Sequence, residues 1–288
     1  MTVLHELFRY PFMVNAFRAG TIVAVVASLM GWFTVLRRQA FAAHTLALVG
    51  FPGAAGATLL GLSPVAGYFG FCGGAALVLA ARPRASRAGG YSEGSAVIGS
   101  VQALLLASGY LFVNLYRGNL NGVNALLFGN FLGVTATQVL TLLAVGVAAL
   151  AALGVMARPL FFASIDQPAA EAAGVPVGVV SVVFLLLLGL AVAEASQITG
   201  SLLVFALLVL PAATAQALTP RPLVGVLVAS AVALASTWLG LAFAYYSVYP
   251  AGFFITTLAF GAYVLARAGA AVAGHRAGTR APAAGAGP

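Results

Sequence analysis

His44 and Glu194 are the two ionisable residues that fall inside long apolar stretches of this chain, and they define the chemistry open to it. A neutral imidazole is a ready metal ligand, and a carboxylate suits divalent cations. An ionisable side chain in lipid costs about 2.5–3.5 kcal/mol on insertion scales, so such residues are functional candidates. Each also has a plainer reading. A lone histidine without a second ligand at helical spacing serves equally as a buried hydrogen-bonding residue. Glu194 lies near the outer end of its stretch, where a carboxylate can reach water. Residue types exclude other chemistries. All 13 basic residues are arginine. No lysine is available for a phosphate-binding loop or a Schiff base. Cys72 is the only cysteine, which excludes an internal disulfide and a thiolate cluster. There is no HExxH, CxxC or nucleophile–base arrangement, so the chain is not expected to be an enzyme or to bind a cofactor of its own.

The elements that must position these residues are membrane spans. Apolar residues make up 62% of the chain and charged residues 6%. A soluble domain carries about 25% charged residues, so this surface belongs in lipid. Stretches of about 20 apolar residues without strict alternation read as helices, not barrel strands. They fall at 14–36, 41–61, 64–81, 95–115, 131–156, 177–194, 201–218, 223–245 and 250–267. The expected fold is all-α, a polytopic transmembrane bundle of eight or nine spans, with the break between Glu194 and Ser201 the least defined. Gly50, Gly53, Gly56 and Gly61 in one span, and Gly67, Gly70, Gly73 and Gly74 in the next, are spaced to let helix backbones approach. Pro52 and Pro211 sit within spans and should kink them, and broken helices often border transport pathways.

Arginine placement orients the bundle. With the first span running inward, Arg37, Arg38, Arg82, Arg84, Arg87, Arg158, Arg221, Arg267, Arg276 and Arg280 all lie on the cytoplasmic side. Only Arg9, Arg18 and Arg117 lie outside. The positive-inside rule then puts the N terminus outside and the C terminus in the cytoplasm. The net charge of +8 is spread over helix ends, which suits membrane lipids as neighbours and not nucleic acid. The first 13 residues carry a weak positive region without a cleavage site, so the first span reads as permanent. Residues 1–267 form the expected membrane domain, and the Ala-, Gly-, Pro- and Arg-rich residues 268–288 an expected disordered cytoplasmic tail.

One cytoplasmic segment, 158–176, is too polar to span and too long for a turn. Ser164 or Asp166 can cap a short helix there, and Pro168 suits its first turn. Ala169 to Ala173 favours helix, and Gly174 supplies the stop. A docking element or an amphipathic interfacial loop both fit this pattern. Asn114, Asn119, Asn121, Asn124 and Asn130 mark an outer loop, either solvated or re-entrant.

Several segments together resemble the ABC-3 family, the zinc and manganese ABC transporter permeases of bacteria. Residues 37–56, RRQAFAAHTLALVGFPGAAG, are similar to the family's first turn, which has an Arg pair, an Asp, a His four residues later and a Pro-Gly pair. FGNFLG at 128–133, ASIDQPAAEAAGVPV at 163–177, GSLLVFALLVLPAATA at 200–215 and Pro-Ala-Gly at 250–252 follow in the family's order. The resemblance covers about residues 14–267.

It implies a type II ABC importer-like permease of the bacterial plasma membrane. That permease would be a homodimer, docked by cytoplasmic ABC ATPase subunits and supplied by an extracytoplasmic metal-binding protein. The coupling segment would include Asp166, Gln167, Pro168, Ala169, Glu171 and Gly174. The transported ion would be Zn2+ or Mn2+, with His44 and Glu194 as candidate ligands and Pro52, Gly53 and Pro211 shaping the helices around them. The departure lies at the ligand pair. Where the family has Asp and His one turn apart, this chain has His44 and Leu48. Loss of the carboxylate favours zinc over manganese, with His44 paired across the dimer. The alternatives are an ABC permease for a metal chelate such as iron-siderophore, or a secondary transporter or channel that needs no ATPase.

Overall fold

The computed structural model describes residues 8–81, 91–116, 129 and 131–278, and every regular element among them is helical. In chain order these are α1 (Pro11–Leu36), α2 (Ala40–Leu59), α3 (Pro64–Ala81), α4 (Tyr91–Leu115), a 3-10 turn (Phe131–Gly133) and α5 (Ala136–Ile165). Then follow α6 (Gln167–Ala172), α7 (Val177–Thr199), α8 (Ser201–Leu218), α9 (Pro222–Tyr245) and α10 (Ala251–Gly278). Among the described residues, 9 helices are long and apolar enough to cross a membrane, all but α6 and the 3-10 turn. Large apolar side chains such as Val155, Leu223 and Leu265 lie fully outward, as lipid-facing residues do. α1, α2, α7 and α8 supply most of the buried interior, whereas α4 and α10 lie at the periphery.

Small residues set the closest crossings. A methyl group on Gly31 of α1 would fall 1.8 Å from the Leu208 carbonyl oxygen of α8. Gly53 of α2 and Gly67 of α3 face one another so closely that a Cβ on either would meet the other's carbonyl oxygen, at 2.4 and 2.3 Å. The expected close approach holds for this pair but not along the rest of α3. Gly70, Gly73 and Gly74 have nothing within 4 Å of an added Cβ. Two of them, Gly70 and Gly74, line a cavity of about 430 Å³ between α2, α3 and α4, which Thr45, Val49, Val101 and Leu105 also border.

Four expected boundaries differ. The fifth span begins at Ala136, not 131, because Thr135 and Gln138 close a capping box: Thr135 Oγ1 accepts from the Gln138 N–H at 3.2 Å, and Gln138 Oε1 accepts from the Thr135 N–H at 2.9 Å. The same helix runs on to Ile165 through Pro159, since Leu160 and Ala163 are buried there and packing offsets the lost backbone bond. The sixth span reaches Thr199, and the break before α8 is the single residue Gly200, at φ 80°. The last helix continues through 268–278, residues expected in the disordered tail; alanine, the strongest helix former, dominates that stretch. Residues 279–288 lie outside the described set.

The turn from α1 to α2 is a Schellman motif. The Gln39 N–H reaches the Thr34 carbonyl at 2.9 Å, and the Arg38 N–H reaches the Val35 carbonyl at 3.0 Å. The motif needs a left-handed residue, usually glycine, and here Arg38 fills it at φ 55°. A side chain in this region costs about 1–2 kcal/mol, of which glycine's greater freedom when unfolded returns about 0.5–1 kcal/mol. Arg38→Gly is therefore expected to raise the thermal midpoint of the detergent-solubilised protein. Arg38→Val, β-branched, should lower it.

Candidate functional site

His44 sits in the second turn of α2, half-buried, with its ring centroid 4.4 Å from that of Phe205 on α8. Its Nδ1 is buried and has no hydrogen-bond partner among the described residues. The plainer reading, a histidine satisfied by a buried hydrogen bond, is thus not met at that nitrogen. Such orphaned groups call for an explanation, and a ligand is one. Leu48, one turn further, is buried at 6% exposure and brings no donor atom on its side chain. Pro52 stands inside α2 and is buried. Having no N–H, it leaves the Leu48 carbonyl without its helical donor. Pro211 does the same to the Leu207 carbonyl in α8. Next to His44, Thr45 donates to the Phe41 carbonyl at 3.0 Å and to Gln102 Oε1 of α4 at 3.2 Å.

Glu194 is buried at 8% exposure inside α7, so the alternative in which it simply reaches water at a helix end does not apply in this chain. It is preceded by Ala193, which packs with Ala54, Tyr68 and Cys72. His44 and Glu194 are not brought together. Arg37 at the start of the α1–α2 turn bonds Ser181, four residues into α7, and His44 lies four residues into α2. Glu194 lies 13 residues beyond Ser181. At 1.5 Å per residue that is about 20 Å along the axis. Among the described residues, no group of three or more His, Cys, Asp and Glu side chains is placed to hold a metal ion. Among those residues, one copy thus offers single ligands and not a group of three. Cys72 donates to the Leu46 carbonyl at 3.4 Å within the core, a packing role.

The segment between α5 and α7 folds as a single capped helical turn and a half. Asp166 Oδ1 accepts from the Ala169 N–H at 3.0 Å, which makes Asp166 the N-cap of α6. Pro168 stands in the first turn, where its missing N–H costs nothing. Gln167 Nε2 donates to Glu171 Oε1 at 3.0 Å. Gly174, at φ 82°, ends the helix: its N–H reaches the Glu171 carbonyl, and the Val175 N–H reaches the Ala170 carbonyl at 2.9 Å. Gln167, Pro168, Ala169 and Glu171 are thereby held on one short outward helix. Ser164, the other candidate cap, instead donates back to the Leu160 carbonyl.

Two features have no counterpart among the expected site residues. The first is Arg37, whose guanidinium joins α1 to α5 and α7 through Ser164 and Ser181. The paired arginines signalled charge at a membrane edge but not these distant partners. The second is the docking of Gly129 and Phe131. Gly129, at φ 77°, lies against the Thr199–Gly200 junction, where an added Cβ would meet the Thr199 carbonyl oxygen at 2.3 Å. Phe131 is buried, and Asn15 Nδ2 donates to the Val134 carbonyl at 3.2 Å. Asn114 is exposed and donates to the Tyr110 carbonyl, whereas Asn119, Asn121, Asn124 and Asn130 lie outside the described residues.

Nine apolar helices among the described residues, two of them carrying Pro52 and Pro211 in their interiors, and a short capped helix between two spans make up a polytopic membrane protein. A model of the ABC 3 transport family matches residues 9–270, and the chain belongs to that family. The manganese transport system membrane protein MntC of Halalkalibacterium halodurans is 29% identical over 221 residues, covering 75% of this chain and 73% of that one. The chelated iron transport system membrane protein YfeC of Yersinia pestis is 30% identical over 222 residues, covering 77% and 74%. Among solved structures, PsaBC from Streptococcus pneumoniae in complex with Fab superposes with a TM-score of 0.81 at 26% identity, covering 92% of this chain and 94% of that one.

Proposed function

We propose that this chain is the membrane-spanning subunit of an ATP-driven importer that carries a divalent metal cation inward across the bacterial plasma membrane. It works as a homodimer, with ATPase subunits docked on α6 from the cytoplasm and a metal-binding protein delivering the ion from outside. The N terminus lies outside and the C terminus inside, in keeping with the arginines at the inner helix ends. The observation that carries the reading is the His44 Nδ1, buried without a partner among the described residues, on a proline-containing helix of a chain in this family. Relatives are named for manganese and chelated iron transport, which supports a metal cargo. An imidazole without a carboxylate neighbour suits zinc better than manganese. Two His44 side chains, one from each copy, supply a transient pair of nitrogen ligands for the passing ion. The apolar Leu48 favours a second reading, in which the cargo keeps most of its own ligands as a chelate.

The test is uptake by proteoliposomes holding the permease with its co-purified ATPase and binding protein, supplied separately with radioactive Zn2+, Mn2+ and an iron chelate. Uptake of Zn2+ that requires ATP and both partners is expected. Metal flux through the permease alone would instead indicate a channel or secondary transporter, and uptake of the chelate only would establish the second reading.

A further inference from the structure

The cytoplasmic ends of three helices converge on Arg37. It caps the C-terminus of α1, and its Nη2 donates to Ser181 Oγ of α7 at 2.7 Å. Its Nη1 donates to Ser164 Oγ of α5 at 3.4 Å. The guanidinium carbon stands 5.7 Å from the centroid of the Phe184 ring, also on α7, within cation–π range. Ser164 is the penultimate residue of α5, two before the α6 N-cap Asp166. Ser181 lies in the first turns of α7, just past α6. One planar guanidinium therefore holds both helices that flank the docking helix.

The other side of Arg37 leads to the ligand helix. Arg38 and Gln39 close the Schellman turn, and α2 begins at Ala40, with His44 in its second turn. The turn has little slack. Both of its diagnostic backbone bonds are made, and Arg38 is held left-handed, a conformation a non-glycine residue keeps only when its surroundings fix it. A displacement of α6 must move the ends of α5 and α7, and the fork of Arg37 ties both to the turn that carries α2.

We propose that Arg37 is the positioning residue that links the α6 docking helix to the His44-bearing helix, so that movement of the ATPase subunits changes the setting of α2. This rests on the reading of the chain as an ATPase-driven permease. Arginine suits the task because its fork donates to two partners in fixed geometry while its face stacks on an aromatic ring, which lysine's single ammonium cannot reproduce.

The experiment compares wild type, Arg37→Gln, Arg37→Lys and Ser181→Ala in proteoliposomes of the complete complex. ATP hydrolysis and Zn2+ uptake are measured on the same preparation, with Mn2+ as a second ion. Arg37→Gln is expected to keep ATP hydrolysis within about twofold while uptake per ATP falls about tenfold. Arg37→Lys should restore part of that ratio, and Ser181→Ala should lower it about threefold. Ser181→Ala also carries the test if Arg37→Gln does not accumulate in membranes. Hydrolysis and uptake falling in equal proportion, or an unchanged ratio in both Arg37→Gln and Ser181→Ala, overturns the linkage. If wild-type uptake proves independent of ATP, the underlying permease reading fails first, and that outcome is visible without any variant.

Discussion

Replacing His44 with alanine is expected to cut Zn2+ uptake about tenfold or more in the reconstituted complex, while the amount of folded permease stays within about twofold. A tenfold loss corresponds to about 1.4 kcal/mol, modest for removing an imidazole from a metal path, and doubled where two copies each contribute one. The fold should tolerate the change. His44 is only half-buried, its Nδ1 has no hydrogen-bond partner among the described residues, and its ring lies against Phe205. The informative companion is the double variant His44→Asp, Leu48→His, which installs a carboxylate and an imidazole one turn apart on the same face of α2. A carboxylate oxygen favours manganese more than an imidazole nitrogen does. The double variant should therefore raise Mn2+ uptake relative to Zn2+. Equal uptake by wild type and His44→Ala would remove His44 from the path altogether.

The bundle itself was legible because hydropathy is summed over many residues, so no single position decides a span. The α6 helix was legible for the opposite reason. Asp166, Pro168 and Gly174 each answer a local backbone need, an orphan N–H, a missing N–H and a left-handed φ, and those needs do not depend on distant packing. The start of α5 had an equally local signal, Thr135 with Gln138 three residues on, but the apolar Phe131 and Leu132 ahead of it obscured the cap. Contacts between distant parts of the chain were not legible. Arg37 meets Ser164 and Ser181 across 127 and 144 residues, and nothing near Arg37 encodes them. Burial of Glu194 depends on α7 running five residues past it, which only its packed neighbours decide. Glycine spacing also says which residues share a helix face, not what that face meets. Gly67 packs on Gly53, whereas Gly70 and Gly74 on the same helix open onto a cavity.

Gly31→Ala is expected to destabilise the bundle more than any other single-methyl change among these glycines. Its Cβ would fall 1.8 Å from the Leu208 carbonyl oxygen, 2.7 Å from the carbonyl carbon and 3.1 Å from the Cα. All three are backbone atoms, so no side chain can rotate away, and α1 must separate from α8. Overpacking of this kind costs about 1–3 kcal/mol and more where the obstacle is rigid. Alanine's better helix propensity, about 1 kcal/mol over glycine, offsets only part of that. Gly154→Ala in α5 is the matched control, since an added Cβ there meets nothing within 4 Å and the residue is exposed. It receives the propensity gain without the clash and should hold or raise the thermal midpoint of the detergent-solubilised protein. Gly31→Ala should lower the midpoint by several degrees or prevent accumulation in membranes. The separation would also shift α8, which carries both Phe205 against His44 and Pro211. Any folded Gly31→Ala permease is thus expected to lose transport beyond its loss of stability, and equal midpoints for the two variants would show that α1 and α8 do not meet at Gly31.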